Sequence, residues 1–198
     1  ITRRVYAAAC SRVQPMLKRA PRRVSAHTDA QERDGPIVLI GASTGGVTAL
    51  ETVLGAMSPE GPPTVIVQHM PGQFLVSFAK LLDRQLPHDV GLVDDRVPLR
   101  RGQVRLAPEA GLQTELTRRN GFWQGHLRED VERGLHCPSV DALFSSAAPY
   151  GHDVIAVILT GLGRDGTEGM SLLHRSGAHT IAQDAESSVV YGMPRAAW

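Results

Sequence analysis

The chain has 198 residues, 42% of them apolar, which suits one α/β domain with a proper core plus a short extra piece. Its net charge of +1 is unevenly placed. Residues 1–34 carry eight Lys/Arg against three Asp/Glu and residues 35–198 carry thirteen against seventeen, so the part able to fold lacks the basic face of a nucleic-acid binder. Two cysteines in unlike surroundings, Cys10 and Cys137, argue against a disulfide framework and fit a reducing compartment, and no apolar run approaches the roughly 18 residues of a membrane helix.

Residues 1–14, with Val5, Ala9 and Val13 on one face, read as the end of a helix. Residues 15–34, with Pro15, Pro21, Arg22 and Arg23, read as a basic linker. The chain begins with Ile, and we expect a piece of a longer protein. From residue 37 strands alternate with helices. Ile37–Ile40 is a strand running into Gly41-Ala42-Ser43-Thr44-Gly45-Gly46, and Val47, Leu50, Val53 and Leu54 come next at helical spacing. Thr64–Gln68 is a second strand and residues 74–84 a second helix. Residues 90–135 hold short runs (Val104–Ala107, Leu112–Leu116, Gly121–Gln124) with the hairpin turn Asn120-Gly121. Pro138-Ser139-Val140-Asp141 opens a helix to about residue 148. Val154–Leu159 is the most apolar strand, 166–176 a helix, Thr180–Gln183 a strand, and Val189–Tyr191 one more short strand. The expected fold is α/β: a doubly wound, mostly parallel sheet with helices on both faces and a β-hairpin insertion around residues 100–130.

Ligands of an open parallel sheet sit beyond the carboxyl ends of its strands. The three strongest strands end in Ser43, in Gln68-His69-Met70-Pro71 and in Thr160-Gly161-Leu162-Gly163-Arg164-Asp165-Gly166. Taken singly, Ser43 reads as a phosphate contact or helix cap, His69 as a buried hydrogen-bonded histidine, and Asp165 as a turn residue. Taken together on one sheet edge, they are the components of a nucleophile, a base and an orienting carboxylate. Gly41-Ala42-Ser43-Thr44-Gly45 also fits G-x-S-x-G, and the helix behind it offers backbone N–H groups to an oxyanion. Nucleotide binding competes poorly. Val47 stands at the lysine position of a P-loop, Ser43 replaces the second glycine of G-x-G-x-x-G, and the second strand ends without an acid for a ribose. His27, His88, His126, His152, His174 and His179 show no metal-ligand spacing, so neither a metal nor another cofactor is expected.

Gly41–Gly46, Gln68–Pro71, Pro138–Asp141, Leu159–Gly166, Ala182-Gln183-Asp184 and Tyr191–Pro194 occur in that order. Together they closely resemble the catalytic domain of the chemotaxis-receptor protein-glutamate methylesterases (CheB), over roughly residues 37–197. The resemblance implies a cytoplasmic bacterial serine esterase of a two-component signalling system. It would hydrolyse glutamate γ-methyl esters on chemoreceptor cytoplasmic helices and in many cases deamidate receptor glutamines. It further implies that residues 1–34 are the end of a receiver domain plus its linker, that residues 35–198 are the catalytic domain, and that a family C-terminal segment would come after Trp198. The phosphoacceptor part of a receiver is not in this sequence, so phosphorylation control is not expected of this piece. By motif match Ser43 is the nucleophile, His69 the base and then acid, and Asp165 the orienter of His69. Thr44, Gly45, Met70 and Leu162 line the oxyanion and substrate vicinity.

Three positions depart from the family pattern: Leu162 replaces a frequent methionine, Cys137 a frequent arginine, and Leu112-Gln113 a stretch that commonly holds a histidine. Implied partners are the methylated chemoreceptor cytoplasmic domain and the receiver, with no nucleic acid and no membrane insertion. A non-catalytic receptor-docking domain of the same fold and a small-molecule esterase are the alternatives.

Overall fold

The computed structural model describes residues 33–109, 111–130 and 136–198. The helix expected over 1–14 and nearly all of the expected linker lie outside the described residues.

Among the described residues eight strands and five helices follow in chain order: β1 Ile37–Ala42, α1 Gly46–Ala56, β2 Thr64–Gln68, α2 Gly72–Gln85, β3 Asp89–Leu92, β4 Gln103–Leu106, β5 Leu112–Arg119, β6 Phe122–Glu129, α3 Val140–Ala147, β7 Val154–Ile158, α4 Thr167–Arg175, β8 His179–Ala182 and α5 Met193–Ala197. A 3-10 turn over Ala148–Asp153 links α3 to β7. Six strands form one sheet in the order β3-β4-β2-β1-β7-β8, and every pairing in it is parallel. β1 and β2 lie near the middle and are buried along their whole length, which explains their unbroken apolar runs.

Side chains alternate across a strand, and β1 shows it directly. Ile37 and Leu39 join the core beneath α3 and α4, whereas Val38, Ile40 and Ala42 join the core beneath α1 and α2. The chain leaves β1 for α1 on one face and leaves β7 for α4 on the other. β1 and β7 are neighbours, so the crevice between their carboxyl ends is the topological switch point, where doubly wound sheets bind ligands.

The antiparallel hairpin β5–β6 packs on α3. Its two-residue turn has positive φ at both Asn120 (54°) and Gly121 (85°), as a type I′ turn requires. Buried Trp123 donates Nε1–H to Gly35 O (2.9 Å), and Arg118 lies over the Trp123 ring while pairing with Asp153 (2.7 Å). These contacts anchor the turn end of the hairpin to the start of β1.

The insertion is narrower than expected. Val104–Leu106 belongs to the parallel sheet as β4, and Asp89–Leu92, not expected as a strand, is its edge neighbour. Val189–Tyr191 forms only an isolated bridge from Tyr191 to Gly161.

Candidate active site

Ser43 comes directly after β1 and is half-buried. Its N–H donates to Thr160 O (3.0 Å), across the switch point, and its carbonyl accepts from Gly46 N (2.8 Å). The chain then turns through Gly45, whose φ of +84° suits glycine, and a Cβ there would also press on Val189 at 2.6 Å. The Ser43 hydroxyl makes no hydrogen bond with a described residue. The backbone N–H groups of Thr44 and Leu162 are likewise uncommitted among the described residues. Ser43 N–H is occupied, so an oxyanion beside this turn would be met by its neighbours rather than by the serine's own amide.

His69 comes directly after β2, and its N–H donates to Ala42 O (2.9 Å). Its Nε2 lies 2.8 Å from Asp165 Oδ2, with both side chains largely sheltered. Buried Gln68 ties the two strand ends together, since its Nε2 donates to Ser43 O (2.9 Å) and to His69 O (3.1 Å). Its Oε1 has no hydrogen-bond partner among the described residues.

Asp165 is 8% exposed and takes four hydrogen bonds. Besides His69, Ser139 Oγ (2.8 Å) and Asp141 N (3.0 Å) donate to Oδ1, and Val140 N (2.8 Å) donates to Oδ2. The motif Pro138-Ser139-Val140-Asp141 therefore does more than start α3. Ser139 is its N-cap, accepting from Ala142 N, and the free amides of its first turn cradle the carboxylate. Burial pushes the Asp165 carboxyl up, but the hydrogen bonds from His69, Val140, Asp141 and Ser139 outweigh it and hold it at about 2. Burial raises Asp141 against the hydrogen bond it accepts from Gly169 N (2.7 Å), which ties α3 to α4.

A cleft of about 910 Å³ opens on the Asp165 side, bordered by Gln113, Arg128, His136, Asp141, Arg164 and Glu168. Leu162 is 70% exposed, Met70 is half-buried beside His69, and Thr44 and Gly45 sit on the serine turn.

A family model described as CheB methylesterase matches residues 38–198. The chain belongs to the CheB methylesterase family. It is 44% identical over 197 residues to a protein-glutamate methylesterase/protein-glutamine glutaminase of Gluconobacter oxydans, covering 96% of this chain and 56% of that one. It is 46% identical over 165 residues to one of Caulobacter vibrioides, covering 83% and 48%. The chain thus spans about half the length of the relatives it matches. The crystal structure of the Thermotoga maritima CheB methylesterase catalytic domain superposes with a TM-score of 0.78 at 36% identity, covering 82% of this chain and 87% of that one.

In this CheB-family fold the three residues expected to carry the chemistry, Ser43, His69 and Asp165, fall at neighbouring strand ends, and the His69–Asp165 bond is in place. Sequence reasoning missed four supports: Gln68, Gln113, His136 and the cradle of Ser139, Val140 and Asp141. The signal for the cradle was present, since Pro-Ser-x-Asp ahead of an apolar run marks a capped helix start. His136 stands only two residues before that motif. Among the described residues no cluster of His, Cys, Asp and Glu could hold a metal, and no helix is long and apolar enough to cross a membrane.

Proposed function

We propose that this domain hydrolyses glutamate γ-methyl esters on the cytoplasmic helices of chemoreceptors and deamidates glutamines at such sites, through an acyl-enzyme on Ser43. The observation that carries this reading is the 2.8 Å bond from His69 Nε2 to a fully hydrogen-bonded Asp165, beside a serine whose hydroxyl is uncommitted among the described residues. With Nε2–H directed to Asp165, Nδ1 is the nitrogen that accepts the Ser43 proton as Oγ attacks the ester carbonyl. The N–H groups of Thr44 and Leu162 stabilise the oxyanion. His69 returns the proton to the departing oxygen of the ester, releasing methanol, or to the departing amide nitrogen of a glutamine, releasing ammonia. Water then adds by the reverse route and frees the glutamate. Asp165 holds the tautomer and the charged imidazole, as the acid of a Ser-His-Asp triad does. A receiver domain upstream of residue 35 belongs to the same proposal, supported by relatives about twice this length, and so does a cytoplasmic location, supported by the family match.

Methanol release from methylated receptor fragments tests it. Ser43→Ala should lower turnover by on the order of 10⁶-fold, as loss of a triad nucleophile does elsewhere. Near-normal release by that variant sinks the assignment.

A further inference from the structure

The His69 ring is not bare. His136 stacks on it with centroids 4.4 Å apart and planes 9° from parallel. His136 is itself exposed, and its backbone is anchored. Gln113 on β5 does the holding. Its Nε2 donates to His136 O (2.9 Å) and its Oε1 accepts from Ser139 N (2.8 Å), so one carboxamide grips both ends of the segment 136–139. Ser139 is also the residue whose hydroxyl donates to Asp165. Gln113 therefore fixes the plate over His69 and the cradle around Asp165 at once.

We propose that His136 is a positioning residue for the base, and that Gln113 is the clamp that keeps it there. A parallel ring at this separation bars the imidazole of His69 from tilting out of the plane in which Nε2 meets Asp165. That plane leaves Nδ1 for the serine proton. The plate also keeps water off one face of the imidazole. It offers an aromatic face to the positive charge His69 acquires in the transition state, an attraction that grows with desolvation. Both effects act on the chemical step rather than on substrate binding. The role proposed for His136 is exercised through its stacking on His69. This role rests on the reading of His69 as the base.

The test uses the domain itself and needs no receptor. The rate at which a fluorophosphonate probe labels Ser43 is compared for wild type, His136→Ala, His136→Phe and Gln113→Leu, and the His69 Hε1 resonance is followed by NMR. His136→Ala should slow labelling by about 10- to 100-fold, the scale of a misplaced catalytic group, and shift Hε1 downfield as the ring current of the plate is lost. His136→Phe keeps a flat ring and should restore most of the rate and the upfield shift. Gln113→Leu should behave like His136→Ala although the ring is still present. Labelling of His136→Ala at the wild-type rate, or His136→Phe no better than His136→Ala, overturns the proposal. Should wild type not label at all, the esterase reading fails instead. The Hε1 shift and its rescue by Phe still decide whether the plate orders His69.

Discussion

Asp165 meets His69 through Nε2, at 2.8 Å. In the serine proteases the aspartate takes Nδ1–H and the serine faces Nε2. In the mechanism proposed above the two ring nitrogens exchange duties. The carboxylate reaches the imidazole from the amino end of α3, and the same three-donor cradle that helps to lower its pKa also fixes its direction.

That cradle makes Asp165→Asn a double injury. The amide nitrogen would face a backbone N–H whichever way it turned, because each carboxylate oxygen already accepts from one. Turnover should fall by about 10⁴-fold through the wrong tautomer, and stability by about 1–3 kcal/mol for donors left unpaired. Asp153→Asn and Asp184→Asn are the controls. Asp153 pairs with Arg118 and Asp184 turns onto Ser187, both away from His69, so methanol release should be unchanged. A comparable rate loss in either would show the wrong carboxylate was chosen.

The pKa of Asp165 gives a stability profile with a definite sign. Its folded value, about 2, lies below its unfolded value, so the stabilisation is complete above about pH 4 and disappears as pH falls through about 2. The amount is about 2 kcal/mol. In urea titrations the stability gap between wild type and Asp165→Asn should shrink by that much between about pH 5 and about pH 2. A gap that stays constant would place the carboxyl near its ordinary pKa.

Gly161 leaves no room for a side chain. A Cβ there would stand 2.8 Å from Ser43 Cβ and would collide with the Met193 thioether. The thioether can swing aside, but the serine sits on a hydrogen-bonded turn. Gly161→Ala should therefore slow turnover by about 100-fold through displacement of Ser43, the proposed nucleophile, with a stability loss of about 1–3 kcal/mol. Gly55→Ala, in α1 with open space around it, should leave turnover unchanged and stabilise by up to about 1 kcal/mol. Equal turnover in both variants would mean the close approach at Gly161 does not set the serine.

Gln68 can be separated into its two ends. Replacement by Met keeps its length and removes both the two donated bonds and the unpaired Oε1. Lost hydrogen bonds and a removed buried acceptor offset each other, so stability should move by less than about 1 kcal/mol. Turnover should nevertheless fall, because the carbonyls of Ser43 and His69 are no longer held to one carboxamide. An unchanged kcat would reduce Gln68 to packing.

Much of the site was legible in the chain because the chemistry sits at strand ends. Buried parallel strands such as β1, β2 and β7 advertise themselves as apolar runs, and the residues just past each run lie at the site by topology. β4 was harder. Its alternation, with Arg105 between Val104 and Leu106, mimics a half-exposed hairpin strand. In the fold Arg105 is satisfied by Asp89 (3.0 Å) across to β3, which a linear reading cannot see. β3 itself, short and with Gly91 inside, has almost no pattern. The Gln113 clamp was out of reach for a related reason. It joins residues 26 apart across a hairpin whose placement on α3 is decided by tertiary packing. His136 carries no motif of its own, and its role comes entirely from where that clamp sets it.

Three of the four groups that hold the Asp165 carboxylate are two backbone amides and a hydroxyl. They are dipoles fixed by a helix end, not counter-ions, and mobile salt has no purchase on them at this depth. Raising the ionic strength should therefore leave labelling of Ser43 by a neutral probe unaltered, even where it weakens capture of a charged protein substrate. If Ser43 reacts as proposed, its chemistry and the capture of a charged protein target should be separable by sodium chloride alone.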